Sequence, residues 1–166
     1  IASVRSITRV PPDGSQTLNA TVHALLEAQS EHGLQPKALI VPHAGYVYSG
    51  AAAASAYVEL AQRVGKIRRV VMLGPAHRVA VRGLAASSAH AFRTPLGDVP
   101  LDREAIDELL PLPQVSIDDA AHAQEHCIEV QLPFLQRVFA DADAHFRLVP
   151  LLVGAASDHQ VAQVLD

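Results

Sequence analysis

The sequence predicts an α/β fold in which a mostly parallel sheet carries helices on both faces. Short, continuous apolar runs, typical of strands covered on both faces, alternate with longer segments of helical periodicity. At 49% hydrophobic and 18% charged residues, the 166-residue chain can bury a full core. This length corresponds to a single domain over residues 1–166.

Composition also excludes several classes of partner. The 13 Lys and Arg are scattered and outnumbered by 17 Asp and Glu, so no basic surface suits nucleic acid. No apolar run reaches the roughly 18 residues of a membrane-spanning helix. The single cysteine, Cys127, cannot form an internal disulfide and fits a reducing compartment. We therefore expect a cytoplasmic protein without nucleic-acid or membrane partners.

The first half of the chain predicts an arm, a helix, a strand and a helix. Residues up to Ser15 show no periodicity, whereas residues 17–28 repeat apolar side chains at helical spacing. Residues 37–41 (KALIV) are a short apolar run, as expected of a strand buried on both faces. The alanine-rich residues 50–60 predict a second helix. A strand followed closely by a helix favours a βαβ unit.

The second strand of that unit is predicted over residues 69–73 (RVVML), again as a buried strand. Right-handed crossovers are the rule between parallel strands, so the two strands are expected in one sheet. Residues 81–87 predict another strand, and residues 92–102 are rich in turn formers.

The last third alternates helices and a strand. Asp102 is an expected N-cap for a helix through Leu110, and residues 146–153 predict a buried strand. Ser157 and Gln160 have the spacing of a capping box for a final helix.

Residues 125–139 predict one amphipathic helix with a kink at Pro133. Its expected buried stripe consists of Ile128, Leu132, Leu135 and Phe139. About four strands are fewer than sheets usually have, and the last predicted helix has barely begun at Asp166. We therefore expect the domain to be truncated at its C-terminus.

Two histidines follow the predicted strands directly. His43 comes after the strand over residues 37–41, and His77 comes after the strand over residues 69–73. Ligands of open α/β sheets bind beyond the carboxyl ends of the strands. Neighbouring strands lie about 4.8 Å apart, which lets two imidazoles share one metal ion. The alternative is that both are ordinary, solvated loop residues.

His126 and Glu129 form a second candidate group. Three residues apart on the predicted helix, they share a face and could transfer a proton or bind a metal. An exposed i,i+3 pair near a helix start is the alternative. Cys127 is expected in the core, since free cysteine is often buried. Tyr48, in the loop after His43, either lines the cleft or packs against its surroundings.

Five blocks of sequence carry a resemblance to a known family. In chain order they begin at Pro42 (PHAGYVYSG), Leu73 (LGPAH), Thr94 (TPLG), Glu125 (EHCIE, continuing to LP) and Val149 (VPLLVG). Together they resemble the conserved blocks of the Memo family, whose bacterial members are often called AmmeMemoRadiSam system protein B.

The resemblance implies a fold related to the LigB-type class III extradiol dioxygenases, which are non-haem iron enzymes. It implies that His43 and His77 bind a divalent metal, most naturally Fe(II), and that His126 is a further histidine of the same pocket. Tyr48 matches a cleft tyrosine of the family. Arg78 stands where many relatives have a second histidine, and the family's third ligand would lie beyond Asp166.

The leading hypothesis from the sequence is therefore an iron-type oxygenase with His43 and His77 as metal ligands and His126 as the catalytic residue, either as an outer partner of a ligand or as the proton-transfer group. Tyr48 and Glu129 are its expected pocket residues, and its partner is a small molecule or a peptide. The alternative is a non-catalytic metal- or peptide-binding module that uses the same cleft. A hydrolase that activates water on the metal is a third possibility.

Overall fold

The structure is a computed structural model that describes residues 4–6 and 14–165, with side chains over residues 14–165. It is an α/β fold with a mostly parallel sheet flanked by helices, as predicted. Its strands are β1 (Val4–Ser6), β2 (Arg69–Pro75), β3 (Leu84–Ala86), β4 (Ala91–Thr94), β5 (Gly97–Pro100), β6 (Val115–Ile117) and β7 (Arg147–Val153). Its α-helices are α1 (Ser15–Glu27), α2 (Tyr46–Tyr57), α3 (Arg103–Leu109), α4 (Asp119–Gln124), α5 (Leu132–Asp141) and α6 (Asp158–Leu165).

The larger sheet has four strands in the order β2-β7-β3-β6. β2 pairs with β7 in parallel along its whole length, from Arg69 opposite Arg147 to Pro75 opposite Val153. β3 and β6 are also parallel, whereas β3 and β7 are antiparallel. A second sheet has the order β1-β4-β5. β7 is thus the central buried strand, as its continuous apolar run predicts.

The prediction that β2 is covered on both faces is wrong. β2 lies at the edge of the four-stranded order, and its side chains alternate between exposed and half-buried over residues 69–73. Val71 and Leu73 are 42% and 37% exposed. An apolar run predicts a strand but does not say how many neighbours the strand has.

The predicted strand over residues 37–41 does not form. No described strand pairs with this segment, which runs as an irregular connection between α1 and α2. Leu39 and Val41 pack against the core, whereas Ile40 is 100% exposed. The alternation of inward and outward side chains is that of extended chain, but a strand also requires a neighbouring backbone for its hydrogen bonds. The predicted βαβ unit therefore lacks its first strand.

Residues 92–102, predicted only as turn-rich, contain most of a hairpin. β4 and β5 are antiparallel and joined by the two residues Pro95 and Leu96. Gly97 follows the turn with φ +120°, a conformation that glycine adopts without strain. Asp102 caps α3 as predicted, because its side chain accepts a hydrogen bond from the Ala105 N–H at 3.2 Å.

The single helix predicted over residues 125–139 is wrong in its first half. α4 ends at Gln124, Glu125 is extended with ψ 141°, and α5 begins only at Leu132 after a short 3₁₀ turn (Glu129–Gln131). Pro133 lies in the first turn of α5, where a missing N–H costs nothing, rather than at a kink. The predicted stripe of apolar side chains is nevertheless buried (Ile128, Leu132, Leu135 and Phe139).

Helices α1, α2 and α5 form one layer of the core. α1 buries Leu18, Val22 and Leu26, close to the predicted stripe. Between α2 and α5, the Tyr57 ring stacks on Phe134 with centres 5.2 Å apart. The Ser157 and Gln160 capping box forms at α6, with the Ser157 N–H donating to Gln160 Oε1 at 2.9 Å. Across the described part of the chain, no helix has the length and apolarity needed to cross a membrane.

Candidate functional site

Three histidine rings come together on one side of the molecule. The ring centres of His43 and His77 are 5.2 Å apart, and His126 lies 6.5 Å from His43 and 6.2 Å from His77. The three rings come from three separate connections. The structure thus unites the three histidines that the sequence singled out, although His43 does not follow a strand.

His43 lies in the loop that leads into α2. Gln131, a buried side chain, fixes this loop by donating a hydrogen bond to the Pro42 carbonyl at 3.0 Å. Its amide oxygen accepts the Tyr57 hydroxyl at 3.0 Å. At the start of α2, the Tyr46 hydroxyl donates to the Val130 carbonyl at 2.9 Å. The loop that carries His43 is therefore attached to the 3₁₀ turn from two directions.

His77 lies two residues beyond the end of β2, and Glu125 holds it. The His77 backbone N–H donates to Glu125 Oε2 at 2.7 Å, and His77 Nδ1 lies 3.1 Å from Glu125 Oε1. The Glu125 side chain is only 2% exposed, whereas the His77 side chain is 43% exposed. The histidine therefore has a buried, fixed side and an open side.

The same carboxylate holds the segment that carries His126. Glu125 Oε1 accepts the backbone N–H groups of His126 and Cys127 at 2.9 and 3.2 Å. His126 Nδ1 is 3.6 Å from that oxygen, beyond hydrogen-bond distance. One glutamate thus links the connection after β2 to the connection after α4.

Glu125 remains ionised despite its burial. Burial alone disfavours the charged form, but hydrogen bonds from His77, His126 and Cys127 outweigh it and lower the pKa of Glu125 to about 2. A carboxylate with this many donors is satisfied without a further cation. Glu125 is therefore a fixed negative charge beneath the histidines.

Close packing brings the His126 segment onto the end of β2. A Cβ atom on Gly74 would lie 2.5 Å from Cys127 Sγ, so only glycine leaves room for this thiol. The thiol lies 3.4 Å from the Pro75 carbonyl oxygen and is buried, as predicted for Cys127. Burial, and then the charge of Glu125, raise its pKa to about 12. Cys127 is therefore a packing residue and not a nucleophile.

The two predicted pocket residues lie at different positions. Tyr48 is 88% exposed in the first turn of α2, with its ring beside Gly45. Glu129 is half-buried at the start of the 3₁₀ turn and not on a helix with His126. Its charge, after burial, contributes to the raised pKa of Tyr46. Tyr46, rather than Tyr48, is the tyrosine that packs, with its ring 5.4 Å from Phe134.

The ring distances discriminate between the histidines as metal ligands. With each nitrogen about 2.1 Å from an ion, two imidazoles that bind it at about 90–110° have centres about 5 Å apart. His43 and His77, at 5.2 Å, fit this spacing, whereas the distances to His126 are too long. Over the described residues, no group of three or more His, Cys, Asp or Glu is arranged to hold a metal ion. The pair fits a metal, and the trio does not.

Sequence reasoning missed two residues that build the site, Glu125 and Gln131. Glu125 directly precedes His126, but the predicted helix indicated Glu129, three residues after His126, as the partner of this histidine. The signal for Glu125 was its position beside a candidate histidine, because a carboxylate commonly orients a metal-binding histidine. Gln131 carries no comparable signal, because its partners, Pro42 and Tyr57, are remote in sequence.

Comparisons with known proteins agree on one family. The sequence model of the Memo-like protein family matches residues 10–166. The chain is 37% identical over 142 residues to a MEMO1 family protein of Aquifex aeolicus, covering 86% of this chain and 51% of that protein. It is 47% identical over 115 residues to one of Ignicoccus hospitalis, covering 69% and 39%. It is 44% identical over 123 residues to one of Thermotoga neapolitana, covering 73% and 43%. The matches thus span about half or less of these relatives' own length.

Proposed function

Because the chain belongs to the Memo family, we propose that it is a metal-binding protein of the non-haem iron type, in which His43 and His77 bind one divalent ion, Fe(II). The observation that carries this proposal is the 5.2 Å separation of the two ring centres. Both histidines lie on connections, where ligands are commonly bound, and not inside the core.

Several features of the chain support this pair as the metal ligands. Gln131 fixes the loop of His43, and Glu125 fixes the ring of His77, so one loop and one imidazole are held before any ion arrives. Preorganisation of this kind lowers the cost of binding. The negative charge of Glu125 also favours a cation beside His77.

We assign His126 a separate role as the proton-transfer residue. Its ring is 6.2 Å from that of His77, farther than two imidazoles bound to one ion at about 90–110°, but near enough to reach a molecule bound beside it. Its side chain is 47% exposed and can exchange protons with solvent. Tyr48 and Glu129 are proposed to border the substrate, a small molecule or a peptide.

The proposed reaction class is oxygenation of a small aromatic diol. When bound, a ferrous ion supplies the redox chemistry with dioxygen that protein side chains lack. The chain's own residues contribute binding through His43 and His77, and His126 takes up or returns the proton of a substrate hydroxyl.

Oxygen consumption tests the reaction class. Purified protein is loaded with Fe(II) without air, and oxygen uptake is followed with a panel of catechols. The proposal expects uptake that depends on catechol and disappears in His43→Ala. His145→Ala, which removes an exposed histidine from another region, should retain it. Metal binding without any oxygen uptake would contradict the oxygenase class.

The openness of the site favours a second candidate, a non-catalytic binding module. Val47 and Tyr48 are 94% and 88% exposed beside the His43 loop, a surface suited to an apolar peptide. In this case Fe(II) would bind without turnover, and a peptide rich in apolar side chains would bind with an affinity that Val47→Asp reduces.

A further inference from the structure

We propose that Glu125 is the positioning residue of the site: its carboxylate fixes the Nδ1–H tautomer of His77 and thereby presents Nε2 to the metal. This inference rests on the proposed metal site, but its main test does not require a metal. Glu125 itself contacts no ion in this account.

The hydrogen bond between Glu125 and His77 determines which ring nitrogen carries the hydrogen. Glu125 Oε1 lies 3.1 Å from His77 Nδ1, within hydrogen-bond distance. A carboxylate accepts hydrogen bonds and does not donate them, so Nδ1 must carry the hydrogen. In a neutral imidazole this leaves Nε2, on the other side of the ring, without a hydrogen and free to bind a cation.

The carboxylate of Glu125 is itself fixed in place by backbone hydrogen bonds. Its Oε2 accepts the His77 backbone N–H at 2.7 Å, and its Oε1 accepts the N–H groups of His126 and Cys127. Both oxygens are thus anchored to backbone, and the side chain is only 2% exposed. The ring of His77 is oriented against a rigid acceptor, which is how outer partners orient metal-binding histidines.

Glu125 interacts differently with the rings of His77 and His126. The same oxygen is 3.6 Å from His126 Nδ1, too far for a hydrogen bond, so the carboxylate orients one ring only. His126 is held through its backbone N–H, and no hydrogen bond from Glu125 orients its ring. This asymmetry matches the separate roles proposed for the two histidines.

The chain contains a matched control, Glu59. This buried glutamate accepts the backbone N–H groups of His32 and Leu34 at 2.9 Å each, and its Oε1 lies 2.9 Å from His32 Nδ1. Like Glu125, Glu59 pairs with both the backbone N–H and the ring Nδ1 of one histidine, but it accepts one further backbone N–H where Glu125 accepts two. His32, however, is not part of the three-histidine cluster, so Glu59→Gln reproduces the structural loss without touching the candidate site.

The direct test is nitrogen NMR of the histidine side chains in the metal-free chain at alkaline pH, which reports the tautomer of the neutral ring. We expect His77 to carry its hydrogen on Nδ1 in the unsubstituted protein. Glu125→Ala removes the acceptor of the Nδ1 hydrogen, and this should shift His77 toward the Nε2–H tautomer that an unpaired neutral imidazole favours. An Nε2–H tautomer in the unsubstituted protein would overturn the proposal, whether or not the chain binds metal.

The second readout is anaerobic Fe(II) binding by equilibrium dialysis. Glu125→Gln should lower the affinity about 10- to 100-fold, the usual effect of losing an outer partner. Glu59→Gln should leave it unchanged. Equal losses in both variants would mean that Glu125 acts through stability alone and would overturn the proposal. If Glu125→Gln does not fold, Glu125→Asp, which keeps the charge on a shorter side chain, takes its place.

Failure of the metal site itself gives a different pattern. If the unsubstituted chain binds no Fe(II), the proposed function fails, while the tautomer of His77 still decides whether Glu125 orients the ring. If Fe(II) binds and the tautomer does not depend on Glu125, the proposed function stands and the positioning role is wrong.

Discussion

Glu125 holds His77 at two points, with Oε2 accepting its backbone N–H at 2.7 Å and Oε1 lying 3.1 Å from its ring Nδ1. A buried carboxylate in this arrangement fixes both the loop and the ring of one histidine. The loop of His43 is fixed separately, through Gln131. Two independent anchors therefore hold the two loops that carry these histidines.

Substitution of His126 should separate binding from chemistry. His126→Asn is expected to retain Fe(II) affinity within about twofold, because the distances from its ring to those of His43 and His77 exceed the spacing of two imidazoles bound at about 90–110°. Any oxygen uptake should fall by about 10²–10⁴, the usual contribution of a general acid or base. Parallel dialysis and oxygen measurements check this. A loss of affinity as large as that of His77→Ala would make His126 a ligand instead.

Loss of Gln131 should destabilise the protein strongly. Gln131→Ala removes the acceptor of the buried Tyr57 hydroxyl and the donor to the Pro42 carbonyl. We expect a decrease of about 2–4 kcal/mol in the free energy of unfolding, since a buried group is left without a partner. Urea denaturation measures this. Gln62→Ala, whose exposed side chain bonds only to exposed Glu31, should cost less than about 0.5 kcal/mol.

Because Gly74 and Cys127 are in contact, the effects of substituting them on the free energy of unfolding should not be additive. Gly74→Ala places a Cβ 2.5 Å from Cys127 Sγ and should cost about 1–3 kcal/mol through overpacking. Cys127→Ala removes the clashing atom, so the double variant should be less destabilised than the sum of the two single variants. Thermal or urea unfolding of all four proteins completes the cycle. Strict additivity would show that the two residues do not touch.

Asp102 should make stability depend on pH. Its burial opposes ionisation, but the hydrogen bond from Arg69 at 2.6 Å and the helix cap to Ala105 lower its pKa below the ordinary value of 3.8. Because the pKa of Asp102 is lower in the folded than in the unfolded state, its ionised form stabilises the fold at any pH above the unfolded-state pKa. This stabilisation is lost as the pH falls through the folded-state pKa.

The measurement compares Asp102→Asn with the unsubstituted protein. Asparagine keeps the cap but loses the charge, so the difference in the free energy of unfolding should be about 1–3 kcal/mol at pH 7. It should shrink as the pH is lowered below about 4. A difference independent of pH would contradict the account. Asp107→Asn, which removes an exposed ion pair with Arg103, is the control and should cost under about 0.5 kcal/mol.

Patterns that depend on local chemistry could be predicted from the sequence. The caps at Asp102 and Ser157 and the apolar stripe from Ile128 to Phe139 follow from spacing along the chain, and the structure confirms them. Features that depend on a neighbour could not. Residues 37–41 have the composition of a strand but lack a described partner, and β2 has the composition of a central strand but lies at an edge.

The candidate site, too, could be predicted only in part from the sequence. His43, His77 and His126 could be singled out by their place after predicted elements and by family resemblance, and the structure places their rings together. Glu125 was hidden because a continuous helix was expected where the chain is extended. The Glu125 carboxylate accepts a hydrogen bond from His77, which is 48 residues away in the sequence. Periodicity along the chain cannot predict such a contact.

Fe(II) binding tests most directly whether His43 and His77 share one divalent ion. Equilibrium dialysis without oxygen, on the unsubstituted chain, should give one ion per chain. His43→Ala and His77→Ala should each weaken binding by at least about 100-fold, exceeding the loss from an outer partner. His145→Ala serves as the control and should bind as the unsubstituted chain does. Undiminished Fe(II) binding in both His43→Ala and His77→Ala would contradict the account.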